Sequence, residues 1–145
     1  MTEASLKRIV FLCGLGDGGM EIALVRLLCG LDYGRFSVTL LTPEREGPLL
    51  RMIPDQVMVR HCHFTSDFAY GIGLNDFSDC TAIQRVTYRF GRKLLTLGSD
   101  ERRNLVYDCA VSRIDDLPKE HFDAVFDFRG YGSLTTTIGA QLDAD

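Results

Sequence analysis

Apolar and polar residues alternate in blocks along the chain, and the blocks predict strands and helices in turn. Residues 9–13 form a continuous apolar run, which is typical of a strand buried on both faces of a parallel sheet. Apolar residues recur at helical spacing over residues 20–31, and the β-rich run 36–42 predicts a second strand. Because a β-α-β crossover joins parallel strands, we predict an α/β fold, a three-layer Rossmann-like domain with a mostly parallel sheet.

The same patterns extend along the rest of the chain. Apolar runs predict two further strands, over residues 57–60 and 121–128. Turn signals and helical spacing predict four further helices, over residues 49–53, 81–97, 100–114 and 133–142. Residues 63–79 have no clear period and predict a functional loop. Since no repeat or linker interrupts the pattern, residues 1–145 are predicted to form one domain.

Composition and charge limit the classes of function. Of the 145 residues 46% are hydrophobic, which suffices for the core of one globular domain. The 16 basic and 20 acidic side chains give a net charge of -4, which argues against a protein built to hold nucleic-acid phosphates. No apolar run reaches the roughly 18 residues of a membrane-spanning helix, and residues 1–8 lead into a strand instead of a signal-peptide core. We therefore expect a cytoplasmic protein.

A local basic island stands out against this acidic background. Its members lie in the predicted helices between residues 81 and 114: Arg85, Arg89, Arg92, Lys93, Arg102 and Arg103. Interspersed acidic residues favour a solvated helix face. The alternative is peripheral contact with the anionic inner face of the membrane through the first four of these side chains.

The residues 14–19, called the glycine loop below, are the most informative motif. Gly14, Gly16 and Gly19 satisfy G-x-G-x-x-G between a predicted strand and a predicted helix, where backbone N–H groups approach phosphates closely. The first acid after the second strand, Glu44, comes 25 positions after Gly19, too far for the acid that a dinucleotide site requires. This spacing argues against a nicotinamide site. The alternative is that the glycines only permit a tight turn.

Candidate thiol and metal chemistry is sparse. Five dispersed cysteines without a C-x-x-C pair indicate reduced thiols, and we expect Cys13 and Cys29 in the core. His61 and His63 share a face at a strand end, an arrangement that is usually incidental. His121 is predicted at the surface, at the sheet end opposite the carboxyl ends of the strands. We predict no metal site, and no general base can be assigned.

Several segments resemble the N-terminal half of glycosyltransferase family 4. Gly-Gly-Met-Glu-Ile-Ala at residues 18–23 resembles the stretch that opens the first helix in that family, and the Leu-Asp-Tyr segment within residues 31–41 precedes the second strand as it does there. Residues 46–50, 122–128 and 130–133 are similar to the family as well. Two positions depart from its pattern: Met20 stands where the family usually has Ala, and Ile22 where it usually has Arg.

The resemblance implies one half of a two-domain GT-B fold, the acceptor-side Rossmann-like domain, with the donor-binding C-terminal domain absent from residues 1–145. It implies that a cleft-facing segment approaches the donor diphosphate, formed by Gly16, Asp17, Gly18 and Gly19. It also implies an acceptor-side turn, formed by Arg129, Gly130, Tyr131, Gly132 and Ser133. A nucleotide-sugar would be the co-substrate, with no metal required.

The function that this resemblance implies is transfer of a sugar from a nucleotide-sugar to a glycan or lipid-linked acceptor, in the synthesis of cell-surface polysaccharide or glycolipid. Because the site of such an enzyme lies between two domains, we expect the chain to be inactive without a donor domain, supplied in cis or in trans. The alternative is a non-catalytic Rossmann-like module that binds a nucleotide or phosphate, or docks another protein.

Overall fold

A computed structural model of the chain describes residues 6–16, 18–62, 111, 116–128 and 134–145. The chain divides into two compact units, residues 1–62 with 116–145 and residues 63–115, and the fold below is that of the first unit. Several predictions lie outside the described residues: Asp17, the loop over 63–79, the helices over 81–97 and 100–114 with their basic island, and residues 129–133.

Four parallel strands form the sheet, as the sequence predicts. They are β1 (Lys7–Leu12), β2 (Phe36–Thr42), β3 (Met58–His61) and β4 (Ala124–Asp127). Their order is β3-β2-β1-β4, and every pairing is parallel. The α/β, Rossmann-like fold class is therefore confirmed. Because all strands run the same way, their carboxyl ends meet at one edge of the sheet, the carboxyl edge, where α/β proteins bind ligands.

Two helices lie on opposite faces of this sheet. Helix α1 (Gly19–Cys29) buries its apolar stripe in one core with the odd-numbered side chains of β1. On the other face, the backbone of helix α2 (Leu134–Gly139) approaches β1 and β4 so closely that a side chain at Gly139 would press on Leu12 and Val125. The predicted short helix after β2 is a single 3₁₀ turn, Leu50–Met52.

Helix α1 ends earlier than the sequence pattern predicts. The backbone N–H of Gly30 donates to the carbonyl of Leu27, and that of Leu31 donates to the carbonyl of Leu28; these bonds close the helix at Cys29 instead of residue 31. The Cys29 side chain is exposed, so its predicted place in the core is wrong. One residue after the buried Leu28, it has turned about 100° away from the apolar stripe. Cys13 is buried, as predicted.

Strand β4 is shorter and more exposed than predicted. Within the described residues it pairs with β1 alone, so it forms an edge of the sheet, and Phe126 is 45% exposed although its ring stacks on Phe11. The apolar run over residues 121–128 predicts a buried strand, and for β4 this prediction is wrong. Residues 121–123, at the start of the predicted run, lie outside β4. Phe122 instead forms an isolated parallel bridge with Ala144.

No helix among the described residues is long and apolar enough to span a membrane.

Candidate functional site

The glycine loop lies where the sequence predicts, between the carboxyl end of β1 and the start of α1. Gly16, Gly18 and Gly19 are exposed, and none of them has a positive φ angle. A Cβ atom added to Gly16 or Gly19 would meet no atom of the described residues within 4 Å. Neither the backbone conformation nor local packing therefore requires glycine at these two positions, and their bare backbone leaves open space at the carboxyl edge.

The carboxylate of Glu44 holds the glycine loop to the end of β2. Its Oε2 atom accepts a hydrogen bond from the backbone N–H of Leu15 at 2.9 Å and another from the hydroxyl of Thr42 at 2.5 Å. Leu15 and Thr42 are both buried. A protein carboxylate therefore already occupies one backbone donor of the loop, a donor that a bound phosphate would otherwise use.

Sequence reasoning considered Glu44 only for its distance from Gly19 along the chain. The signal that could have identified its role is its position directly after a strand that neighbours β1. In the β1–β2 register Leu12 lies opposite Leu41, so the loop after β1 and the residues after β2 leave the sheet side by side.

Glu21 is the second carboxylate at the glycine loop. It lies in the first turn of α1 and is only 7% exposed. Its carboxyl group lies over Gly18, where a Cβ atom would collide with the Glu21 Oε2 atom. A side chain at residue 18 would therefore displace the Glu21 carboxyl group from this position. An acidic residue near a helix N-terminus is also stabilised by the partial positive charge of the helix end.

A third carboxylate, Asp127, ends β4 at the same edge. It accepts hydrogen bonds from the hydroxyls of Thr135, at 2.6 Å, and of Thr136 in helix α2. These bonds attach the start of α2 to the end of β4. The predicted acceptor-side residues 129–133, which connect these two elements along the chain, lie outside the described residues.

The amino edge of the sheet carries charges that stabilise the fold. Lys7 forms an ion pair with Asp123, which also accepts the backbone N–H of Arg8 at 2.7 Å. The hydrogen bond from Lys7 lowers the pKa of Asp123, and the same bond raises the pKa of Lys7. These contacts join β1 to the residue before β4, at the end of the sheet opposite the glycine loop.

The two described histidines lie at opposite edges of the sheet. His121 is exposed near the amino edge, as predicted, with Asp143 at 3.2 Å and Asp145 at 3.3 Å. Its hydrogen bond to Asp143 raises its pKa. His61 ends β3 and is exposed, whereas His63 lies outside the described residues, so their shared face stays a prediction. In the described ranges, no three His, Cys, Asp or Glu side chains converge as metal ligands would.

The thiol of Cys62 has the character of a core group. It is buried, and burial raises its pKa to about 11. At neutral pH it is therefore protonated and a poor nucleophile. Its sulfur donates to the backbone carbonyl of Asp116 at 3.5 Å.

Comparison with known proteins gives no family assignment. No family model matches the chain, and searches of curated proteins and of solved structures found no similar protein.

Proposed function

We propose that this chain is the acceptor-side Rossmann-like domain of a glycosyltransferase. The enzyme moves a sugar from a nucleotide-sugar to a glycan or lipid-linked acceptor, in the synthesis of cell-surface polysaccharide or glycolipid. The proposal follows the resemblance of residues 18–23 and 31–41 to glycosyltransferase family 4. In the parallel sheet these segments contain the first turn of α1 and most of β2, as they would in that family.

The observation that carries the proposal is the charge at the glycine loop. Glu44 occupies the Leu15 N–H, Glu21 lies over Gly18, and Asp127 ends β4 at the same edge. Carboxylates repel phosphate but accept hydrogen bonds from hydroxyl groups. An open loop bordered by carboxylates therefore suits the hydroxyl-bearing acceptor of a sugar transfer better than a nucleotide diphosphate.

The remaining parts of the reaction belong to other residues or to another domain. The leaving diphosphate needs cationic groups, which a donor-binding domain would supply, in cis or in trans. We therefore expect no turnover of nucleotide-sugar by residues 1–145 alone. Residues 129–133 are proposed to line the acceptor side, and Arg85, Arg89, Arg92 and Lys93 to contact an anionic membrane that presents a lipid-linked acceptor.

The test is genetic. Deleting the gene in its source cell and analysing surface polysaccharides and glycolipids by mass spectrometry should reveal glycans that lack one sugar and everything attached beyond it. The wild-type gene should restore them. Unchanged glycans would reject the proposal, and binding of a nucleotide to the purified chain in that case would favour the non-catalytic module.

A pair of glycine substitutions sharpens the complementation. Gly16→Gln fills the open space at the glycine loop, and neither the local packing nor the φ angle at residue 16 opposes a side chain there. Gly30→Gln makes the same change at the opposite end of α1, where an added Cβ makes only ordinary contacts. We expect G30Q to restore the glycans and G16Q to fail although both proteins fold.

A further inference from the structure

Glu21 is a charged side chain that the fold buries without a partner among the described residues. Although the residue is only 7% exposed, within the part of the chain that the structure describes its carboxylate has no hydrogen bond and no ion pair. Burying an unpaired carboxylate opposes folding, so such groups are rare in proteins and concentrate at functional sites. By contrast, Glu44 has two donors at the same loop.

The Glu21 carboxylate is directed at the glycine loop and away from the core. The core of α1 is formed by Leu24, Val25 and Leu28, one turn further along the helix. The carboxyl group instead folds back over Gly18, beside the open backbone of Gly19. Its oxygen atoms therefore lie at the place where a ligand at the carboxyl edge would meet the start of the helix.

The chemistry of this position selects the class of ligand. A carboxylate only accepts hydrogen bonds, so its partner must supply an N–H or O–H group. Glu44 holds a second negative charge on the neighbouring Leu15, which disfavours a phosphate. The N-terminus of α1 already favours the negative charge of Glu21, so a cation is not required to balance it. A neutral hydroxyl group fits these conditions.

We propose that the Glu21 carboxylate binds a hydroxyl group of a neutral saccharide at the glycine loop. This inference rests on the proposed function and deepens it, because it assigns the loop to the acceptor sugar instead of the donor diphosphate. Gly18 makes room for the carboxylate, and Gly16 and Gly19 leave the adjacent backbone free for the sugar ring. Met20, which follows Gly19 in the first turn of α1, is exposed.

The experiment is a titration of the ¹⁵N-labelled full chain, followed by NMR. The probes are the methyl glycosides of glucose, galactose, mannose and N-acetylglucosamine, with inorganic pyrophosphate and ethanolamine as anionic and cationic comparisons. We expect at least one glycoside to shift the amide signals of Gly18, Gly19 and Glu21 in a saturable way. No response to any glycoside, or a response confined to pyrophosphate or to ethanolamine, would overturn the proposal.

Two substitutions identify the carboxylate as the binding group. Glu21→Gln keeps the shape and removes the charge, and we expect the affinity for the glycoside to fall about tenfold, because a charged acceptor makes the stronger hydrogen bond. Glu46→Gln makes the same change at an exposed position and should leave the affinity unaltered. Equal affinities of wild type and E21Q would refute the assignment.

The folded state of the variant gives an independent measurement. E21Q removes a buried unpaired charge, so its thermal unfolding midpoint should rise, and a lower midpoint would contradict the absence of a partner. If E21Q does not fold, Glu21→Asp retains the charge but withdraws it from Gly18. This variant should also lose the glycoside, and unchanged binding by it would overturn the proposal.

The two proposals fail separately. Altered surface glycans after gene deletion, without any glycoside binding at the loop, would reject the role of Glu21 alone. Glycoside binding that depends on Glu21, with unchanged surface glycans, would reject the glycosyltransferase function and support the saccharide site.

Discussion

Replacing Glu44 by alanine tests how the glycine loop is held. The substitution removes the acceptor of the Leu15 N–H at 2.9 Å and of the Thr42 hydroxyl at 2.5 Å. Both residues are buried, so water replaces the carboxylate only in part. A buried donor left unpaired costs about 1–3 kcal/mol. Since two donors are affected, we expect E44A to lower the free energy of unfolding by about 2–4 kcal/mol.

Urea unfolding followed by circular dichroism measures this change, and equal m-values in the variants would show that the denatured states are comparable. Glu46→Ala is the matched control, because Glu46 lies two residues further along the same segment and is exposed. A surface substitution of this kind changes stability by less than about 0.5 kcal/mol. If E44A and E46A differ by less than about 1 kcal/mol, the carboxylate does not hold the loop and the reasoning is refuted.

Three further predictions concern other parts of the chain. Gly19→Ala should raise the free energy of unfolding by about 0.4–1 kcal/mol in the same urea assay, because the new methyl group meets no atom and stiffens the unfolded chain; a loss would contradict this. His121→Asn should destabilise the domain below pH 6.5 and not well above it. The hydrogen bond to Asp143 raises the pKa of His121 in the folded state, so the stability that this bond contributes is complete below the ordinary pKa of histidine. That stability is lost as the pH rises through the pKa of the folded state. A difference in stability between wild type and H121N that does not depend on pH would disprove this. Reversing the charge of three residues of the basic island should reduce the binding of the chain to anionic vesicles in liposome flotation. The control is the same charge reversal at three arginines outside the island, and an equal reduction in binding by the control would exclude a specific contact. The island residues are Arg85, Arg89 and Arg92, and the control residues are Arg26, Arg35 and Arg51.

The elements with strong local signals were predictable. Strand β2 has the predicted bounds, because its β-rich run is preceded by the turn around Gly34 and followed by Pro43. Strand β4 was predicted too long and too buried. An apolar run does not reveal whether its strand will have one neighbour or two, and this depends on the pairing with β1.

The position of the glycine loop was also predictable, but its electrostatics were not. The hydrogen bond from the Leu15 N–H to the Glu44 carboxylate depends on the pairing of β1 with β2, which brings these two distant residues together. The burial of Glu21 is contrary to the usual expectation for a charged residue, and its carboxyl group occupies the space that a side chain at residue 18 would take. Such contacts are tertiary, so local sequence patterns do not contain them.

The strand order has a consequence for the sequence of events in folding. Strand β1 is made first but lies between β2 and β4, and its contact with the β4 segment joins Lys7 to Asp123, 116 positions away. Closing so long a loop costs more entropy than closing the short one between β1 and β2. During synthesis the β1–α1–β2 unit can therefore form early. The backbone edge of β1 that pairs with β4 remains unpaired until residues 124–127 have left the ribosome. Until β4 is available that edge of β1 is open to mispairing, so this sheet most needs protection from aggregation before residues 124–127 have been synthesised.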